Sequence, residues 1–176
     1  AAAARTLEGP LVLKVMGLAH KSEEGGVRLG VTADTVEGAA RDMPEGAYLL
    51  EEMVEGAVAE LLIGVLRDPA HGFVLTIGAG GVLTELWQDT SSLLVPADES
   101  VVEGALRSLR IWPLIEGYRG KPAADLAAII DAVMAVQTYV IANADRVSEI
   151  EINPLMCTPD GAVAVDALLR EAERRD

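Results

Sequence analysis

Short apolar runs separated by glycine, proline and charged residues fill the first third of the chain. Runs of this length, rich in β-branched residues and bounded by turn residues, are typical of strands. The pattern predicts strands over Leu11–Val15 and Val27–Val31, and a third strand that ends near Met53. It also predicts one helix between the second and third strands, so the N-terminal part reads as a small β-rich lobe. That helix would start with Thr32 or Asp34 as its N-cap and end at Pro44.

Longer elements occupy the remaining two thirds of the chain. Two apolar runs joined by the turn residues 68–72 predict a β-hairpin, whose second strand continues into the glycine-rich segment GAGG, residues 78–81. A short strand, SSLLVP, precedes a helix that would begin at Asp98 or Ser100, and residues 111–122 read as a loop. Apolar residues near the helical period predict a long buried helix over residues 123–144.

The segment EIEINPLMCTPDGAVAVDA, residues 149–167, predicts a closing hairpin. Its first strand would carry Glu149, Glu151 and Asn153 and stop at Pro154, and its second strand would end on Asp166. Strands and helices are mixed without regular βαβ alternation, which indicates an α+β fold and excludes a doubly wound one.

The net charge of the chain limits the classes of molecule that it is expected to bind. The formal net charge is -14, which disfavours nucleic acid and anionic membranes as main partners. An anionic ligand would need local cations or backbone N–H groups, and lysine occurs only at Lys14, Lys21 and Lys121. The single cysteine, Cys157, excludes an intramolecular disulfide, fits a reducing cytoplasm and is expected to be a small buried hydrophobe.

Two interpretations of Asn153 and Asp166 stay open from their spacing. If the two strands pair antiparallel, these side chains could supply the one or two oxygen ligands that Mg²⁺ usually takes from protein. Alternatively, Asn153-Pro154 begins a turn and Asp166 caps the segment after the second strand.

The other polar motifs also allow two interpretations. Glu52 and Glu60 could hold the adenine amino group and ribose hydroxyls of a nucleotide, or could be exposed strand glutamates. Lys14 could neutralise a phosphate, and Gly25-Gly26 could turn N–H groups towards an anion. His20 could accept a phosphoryl group or be a plain loop residue.

The glycine-rich segment GAGG, residues 78–81, also allows two interpretations. It could be a phosphate nest or a tight strand-to-loop bend. Glu85 and Asp89, four residues apart, would share a helical face.

The order of these motifs resembles the ATP-grasp domain of ADP-forming acyl-CoA synthetases, the β-subunit type, and is similar to the β chain of succinyl-CoA synthetase. The segments AHKSEEGGV, GAGGV and EINPL carry the resemblance, which runs from about Gly9 to Asp166. It implies an ATP-grasp fold in which two lobes clasp a nucleotide. We expect residues 1–52 to form the small lobe and residues 53–176 to form the large lobe with its metal-binding hairpin.

The resemblance also implies roles for single residues. The implied nucleotide-binding residues are Lys14, Gly25, Gly26, Glu52, Met53, Val54, Glu55 and Glu60, with Glu52–Glu55 at the adenine and Glu60 at the ribose. Asn153 and Asp166 would bind Mg²⁺. Glu151 would face a phosphohistidine delivered by a partner, and His20 would relay the phosphoryl group.

The implied activity is that of an acid–thiol ligase: carboxylate + CoA + ATP ⇌ acyl-CoA + ADP + phosphate. Its cofactors would be Mg²⁺ and ATP or ADP, and its partners a CoA-binding α-type domain or subunit within an oligomer. Family members carry a helical segment before the first strand, so the small lobe is expected to be truncated and the chain alone not to complete the reaction. The alternatives are a regulatory domain of a protein lysine acetyltransferase and a non-catalytic nucleotide-binding or structural domain.

Overall fold

The computed structural model describes residues 2–17, 24–81 and 88–172. It divides into two compact units, unit 1 (Ala1–Glu55) and unit 2 (Gly56–Asp176). The assignment of residues 1–52 and 53–176 to two lobes of a nucleotide-clasping fold stays a prediction.

The described residues of unit 1 form a three-stranded antiparallel sheet with an α-helix and a short 3₁₀ helix. A 3₁₀ helix (Ala3–Thr6) leads into the strands β1 (Leu11–Val15), β2 (Val27–Val31) and β3 (Tyr48–Glu52), which lie in the order β2-β1-β3. The helix α1 (Val36–Arg41) connects β2 to β3. Leu11, Leu13 and Val15 of the central strand are buried in the core of this unit because alternate residues of a strand share a face.

Unit 2 is a larger antiparallel sheet with helices packed against its core. Its strands are β4 (Ala59–Asp68), β5 (Gly72–Ala79), β6 (Thr90–Leu94), β7 (Val147–Thr158), β8 (Gly161–Ala164) and β9 (Ala167–Glu171). The strand order is β6-β5-β4-β7-β8, and β9 pairs with the earlier part of β7. The helices in the described residues of this unit are α2 (Glu99–Ser108), α3 (Trp112–Glu116) and α4 (Leu126–Ala142).

One face of this sheet forms the core. Leu61, Ile63 and Val65 of β4 are at most 1% exposed, and Val102, Ile129 and Val133 of the helices belong to the same buried cluster. Leu62 and Gly64, which alternate with these residues on β4, are half-buried and lie on the opposite face of the sheet. Burial of each large aliphatic side chain contributes about 1.5–3 kcal/mol.

Strands β1–β8, the hairpin turn at residues 68–72 and the α+β class confirm the expectations, but β8 ends at Ala164 rather than at Asp166, and β9 was not expected. Three further boundaries are wrong. The N-cap of α1 is Thr35, not Thr32 or Asp34. The long helix begins after its N-cap Asp125, whose carboxylate accepts the Ala128 N–H (3.0 Å), not at residue 123. The segment expected to be a loop contains α3, with Pro113 in its first turn, where the missing N–H of proline is tolerated.

The expected end of β7 at Pro154 is also wrong. The strand continues to Thr158 because a register shift opposite Leu62 accommodates Asn153 and Pro154 as a bulge. The bulge moves the core-facing positions from Ile150 and Ile152 to Leu155 and Cys157. The expectation that Cys157 is a buried small hydrophobe is confirmed, since it is 0% exposed. None of the helices in the described ranges is long and apolar enough to cross a membrane.

Candidate functional site

The candidate site residues of unit 1 lie on β1, β3 and the segment after β3. Lys14 is buried (7% exposed) on the central strand, and its Nζ is 2.5 Å from Oε2 of Glu51 on β3. Lys14 is paired in register with Leu49, so Glu51 is the diagonal neighbour that a long side chain reaches. The cation is therefore held at a defined place on the sheet.

The backbone of residues 52–55 is partly engaged within unit 1. Glu52 Oε1 accepts the N–H of Glu8 (3.0 Å), and the N–H of Met53 donates to the carbonyl of Pro10 (2.9 Å). Met53 and Val54 are half-buried, and Glu55 is exposed. The Glu52 carboxylate thus serves the chain itself, and Glu51 is the acidic side chain that contacts the candidate phosphate-binding lysine.

Gly25 and Gly26 lie immediately before β2. Gly25 has a φ of 70°, a conformation that glycine adopts readily, and the Gly26 carbonyl accepts the Val15 N–H at 2.8 Å. His20 and Lys21 lie outside the described residues, as does Glu85, so the phosphoryl-accepting role of His20 stays a prediction.

In unit 2, Asn153 and Asp166 meet at the end of the β7–β8 pair. The strands pair antiparallel, as the metal hypothesis requires, and the Asn153 N–H donates to the Asp166 carbonyl at 3.1 Å. The two residues continue the register of Leu155 and Ala164, so they lie opposite each other. Asn153 therefore does not begin a turn. Asp166 joins β8 to β9, and its Oδ1 accepts the Ala167 N–H at 3.1 Å.

The end of the GAGG segment contacts this pair. The Gly81 N–H donates to Asn153 Oδ1 at 2.9 Å, and the Gly80 N–H donates to the Glu60 carbonyl at 2.9 Å. A Cβ added to Gly81 would overlap the Glu60 carboxylate. The segment is therefore a tight bend that brings Glu60, Gly81 and Asn153 together, and the N–H of Gly81 is used inside the protein.

Glu151 lies two residues before Asn153 on the face of the sheet that points away from the core. It is half-buried and is paired with Gly64 on β4 and Leu168 on β9. Gly64 has no side chain, and a Cβ added there would meet no other atom within 4 Å. The surface beside Glu151 is therefore open on the β4 side.

The donor chemistry of Asn153 and Asp166 fits a magnesium ion. Both supply oxygen atoms, which Mg²⁺ prefers, and a carboxamide oxygen that accepts one N–H keeps a second lone pair. Across the described ranges, no group of three or more His, Cys, Asp or Glu residues is arranged to hold a metal. A two-ligand site would suit an ion that takes its other ligands from water and phosphate.

Sequence reasoning missed Glu51, and it did not predict the contacts that Gly81 and Asp89 make. Glu51 is adjacent to another glutamate, and only the register of β3 against β1 shows which of the two reaches Lys14. Asp89 was expected on a helical face, but it lies immediately before β6 and is only 7% exposed. A single acidic residue beside a strand gives no sequence signal of burial.

Comparisons with known proteins identify the family and several relatives of this chain. A protein-family model described as ATP-grasp domain matches residues 1–170. The chain is 33% identical over 185 residues to a trans-feruloyl-CoA synthase from an unknown prokaryotic organism, a match that covers 96% of this chain and 26% of that protein. It is 28% identical to the β subunit of the ADP-forming acetate–CoA ligase I of Pyrococcus furiosus, covering 90% of this chain and 73% of the subunit.

A solved structure extends the similarity to three dimensions. The dinucleotide-forming acetyl-coenzyme A synthetase 1 of Ca. Korarchaeum cryptofilum, in complex with coenzyme A and Mg-AMPPCP, superposes with a TM-score of 0.85 at 31% identity. The match covers 97% of this chain and 80% of that one. In that structure the phosphohistidine segment points towards the nucleotide-binding site. This chain spans about a quarter of the length of the feruloyl-CoA synthase.

Proposed function

Because the chain belongs to the ATP-grasp domain family, we propose that it is the nucleotide-binding portion of an ADP-forming acyl-CoA synthetase. The reaction is carboxylate + CoA + ATP ⇌ acyl-CoA + ADP + phosphate. The reaction class comes from the relatives, which are CoA ligases and synthetases. A CoA-binding domain or subunit would complete the enzyme, because the chain spans only 26% of the feruloyl-CoA synthase.

The observation that carries the proposal is the arrangement of Gly81, Asn153 and Asp166. Asn153 at the bulge of β7 and Asp166 just after β8 lie opposite each other and both carry side-chain oxygens, and the Gly81 N–H fixes the Asn153 carboxamide. Asn153 and Asp166 would hold Mg²⁺, which when bound would neutralise negative charge on the phosphates during transfer.

Residues of unit 1 would bind the nucleotide. Lys14 would neutralise a phosphate, and Glu51 would hold its ammonium group in place at 2.5 Å. The Met53 N–H already donates to Pro10, so the backbone of Val54 and Glu55 would contact the adenine. Gly25 and Gly26 would follow the phosphates, and Glu60 of unit 2 would hold the ribose.

Phosphoryl transfer would use a histidine. His20 would accept the γ-phosphoryl group of ATP and relay it, and a histidine of the CoA-binding partner would carry it onward. Glu151 would orient the imidazole of that partner histidine from the open face of β7. Positioning and charge neutralisation account for most of the catalysis in such reactions, so these roles need no further acid–base residue.

Binding of ADP tests the nucleotide and metal roles together. Asn153→Ala and Asp166→Asn are each expected to weaken the Mg²⁺-dependent part of ADP binding by about tenfold or more, because the first removes an oxygen ligand and the second removes the negative charge of the other ligand. Affinity measured in EDTA should change little. Isothermal titration calorimetry with and without Mg²⁺ measures both values.

A matched control comes from the same hairpin. Asp160 is an exposed carboxylate in the turn between β7 and β8, and Asp160→Asn should leave both affinities unchanged. Equal effects of Asp160→Asn and Asp166→Asn would contradict the metal assignment. ADP binding that is absent in the wild type would contradict the proposed function itself.

A further inference from the structure

Asp89 is a buried carboxylate whose two oxygens both serve the backbone. Oδ1 accepts the N–H of Arg110 at 2.8 Å, and Oδ2 accepts the N–H of Ile111 at 3.0 Å. These N–H groups belong to the connection between α2 and α3, where a carboxylate satisfies donors that lack a helical partner. Asp89 therefore ties the residue before β6 to the helices of unit 2.

The backbone of Asp89 in turn holds the end of β5. Its carbonyl accepts the Ala79 N–H at 2.9 Å, and a Cβ added to Gly78 would lie 2.7 Å from this carbonyl oxygen. On the other side of β5, the Gly80 N–H donates to the Glu60 carbonyl of β4 at 2.9 Å. The end of β5 is thus fixed between its two neighbouring strands, in contacts too close for a side chain.

The next residue along the chain is the one that contacts the candidate metal ligand. The Gly81 N–H donates to Asn153 Oδ1 at 2.9 Å. A donor at this position decides which end of the carboxamide faces it, because the oxygen accepts and the NH₂ group cannot. Movement of Gly81 would release that constraint, and the carboxamide would then rotate.

We propose that Asp89 is a positioning residue for Mg²⁺ binding: it fixes the end of β5 so that Gly81 holds Asn153 in its ligating orientation. The contacts run from Arg110 and Ile111 through Asp89 and Ala79 to Gly81 and Asn153. This inference rests on the proposed function, because it takes Asn153 as a metal ligand. It assigns Asp89 no contact with the nucleotide or the reacting atoms.

The alternative role for Asp89 is stability alone, and a second buried polar residue provides the matched comparison. Gln137 is 2% exposed, and both polar atoms of its carboxamide bind backbone groups. Its Oε1 accepts the Ala97 N–H (2.7 Å), and its Nε2 donates to the Ala97 carbonyl (3.2 Å). Neither of these bonds involves Gly81 or Asn153. Gln137→Met therefore removes a comparable clamp in the same unit.

The test measures two properties of the full-length protein. The first is hydrogen exchange at the Gly81 amide in the metal-free protein, by NMR. The second is the Mg²⁺ concentration that half-saturates the metal-dependent part of ADP binding. Asp89→Asn is expected to accelerate exchange at Gly81. It is also expected to raise the half-saturating Mg²⁺ concentration by about tenfold, as is typical when a partner that orients a metal ligand is removed.

A second variant keeps the test decisive if Asp89→Asn folds poorly. Gly78→Ala disturbs the contact with the Asp89 carbonyl while keeping the carboxylate, and it should give the same two changes. Gln137→Met should lower the melting temperature but leave Gly81 exchange and the Mg²⁺ midpoint within about twofold of wild type. In an Asn153→Ala background, Asp89→Asn should add no further change to the Mg²⁺ midpoint.

The possible failures are distinguishable. Unchanged Gly81 exchange in Asp89→Asn, or a Mg²⁺ midpoint that moves equally in Gln137→Met, would overturn the positioning role while the metal site stands. A normal midpoint in Asp89→Asn beside a raised one in Asn153→Ala would do the same. A normal midpoint in Asn153→Ala would instead overturn the metal assignment of the proposed function, and the inference with it.

Discussion

Lys14 combines a buried charge with a place on the central strand of unit 1. A buried ammonium group needs a partner, and Glu51 supplies one at 2.5 Å while remaining about one-third exposed. The protein carries 28 acidic against 14 basic residues, so a cation held at a fixed place is a scarce group for an anionic ligand. Lys14 is therefore the residue of unit 1 from which we expect the largest effect on nucleotide affinity.

Lys14→Met should weaken ADP binding by about tenfold or more, because a charge-assisted contact to phosphate is lost from a partly desolvated position. Lys121→Met is the control, since Lys121 is an exposed lysine in a surface turn of unit 2. Calorimetry at one Mg²⁺ concentration measures both variants. Similar losses in the two variants would show that overall charge, not the position of Lys14, governs affinity.

Cys157 predicts a pH dependence of stability. Burial, with a smaller effect of the nearby Glu60 carboxylate, raises the pKa of its thiol to about 12. The unfolded thiol ionises with a pKa of about 8.5, so above that pH the unfolded state binds fewer protons than the native state. The stabilisation is complete at neutral pH and is lost as pH rises towards 12.

Urea unfolding should therefore show a loss of about 2 kcal/mol in the wild type between about pH 8 and pH 10, beyond the loss in Cys157→Ala. The alanine variant will be less stable at pH 8 because it leaves a cavity, but its curve should be flatter. Parallel curves for the two proteins would mean that the native thiol ionises as readily as the unfolded one.

Among the elements, α4 is attached to the sheet by more than apolar packing. Its residues Ile129, Val133 and Val140 are 0% exposed, and Gln137 on the same helix binds both backbone groups of Ala97. These two hydrogen bonds fix the position of the helix along its axis. Apolar contacts alone would specify that position less precisely. The two hydrogen bonds hold the connection between β6 and α2 to the long helix.

Gln137→Met should lower the free energy of unfolding by about 2–3 kcal/mol, because two buried backbone groups lose their partner. Thr138→Ala, on the exposed side of the same helix, should change it by less than about 0.5 kcal/mol. Chemical denaturation of the two variants compares them directly. A small effect of Gln137→Met would mean that the Ala97 backbone finds another partner.

Most strands could be predicted because their apolar runs are short and bounded by glycine, proline or charged residues. Leu11–Val15 is an example in which the observed and predicted bounds coincide. The bulge at Asn153 and Pro154 could not be predicted from local signals, since proline usually ends a strand and here the partner strand β4 continues the pairing. The helix α3 was missed for a similar reason, because proline in a first helical turn also resembles a loop signal.

The parts of the candidate site that lie on one hairpin could be predicted from the sequence. The contacts that depend on how distant strands and helices pair and pack could not. The Asn153–Asp166 pair follows from a hairpin read from the sequence. The contact of Glu51 with Lys14 depends on strands that are more than thirty residues apart, and the burial of Asp89 depends on the packing of α2 and α3. Such long-range contacts leave no periodic trace in one sequence.

At the scale of the whole molecule, the acidic excess is the dominant electrostatic feature. A net charge of -14 creates repulsion within the folded protein that is weaker in an expanded chain. The ion pairs in the described ranges, such as Arg107–Glu103 and Arg146–Glu171, are largely exposed and contribute little each. The effect of salt on stability should therefore be dominated by the screening of this repulsion and not by the screening of the ion pairs.

Raising NaCl from about 20 mM to about 300 mM should increase the melting temperature by a few degrees, because the screening length falls below the separation of most surface charges. The increase should shrink at lower pH, where protonation of carboxylates reduces the net charge. Differential scanning calorimetry measures both. A melting temperature that falls with salt would show that attractive pairs dominate instead.

The most direct test of the proposed function is transfer of phosphate from γ-labelled ATP to the full-length protein with Mg²⁺. We expect an acid-labile label, typical of phosphohistidine, that is absent in His20→Ala and in Asp166→Asn and retained in Asp160→Asn. That result would establish a phosphoryl transfer that depends on the metal pair and on the relay histidine. No label in the wild type, or a label that persists in both His20→Ala and Asp166→Asn, would contradict the synthetase function.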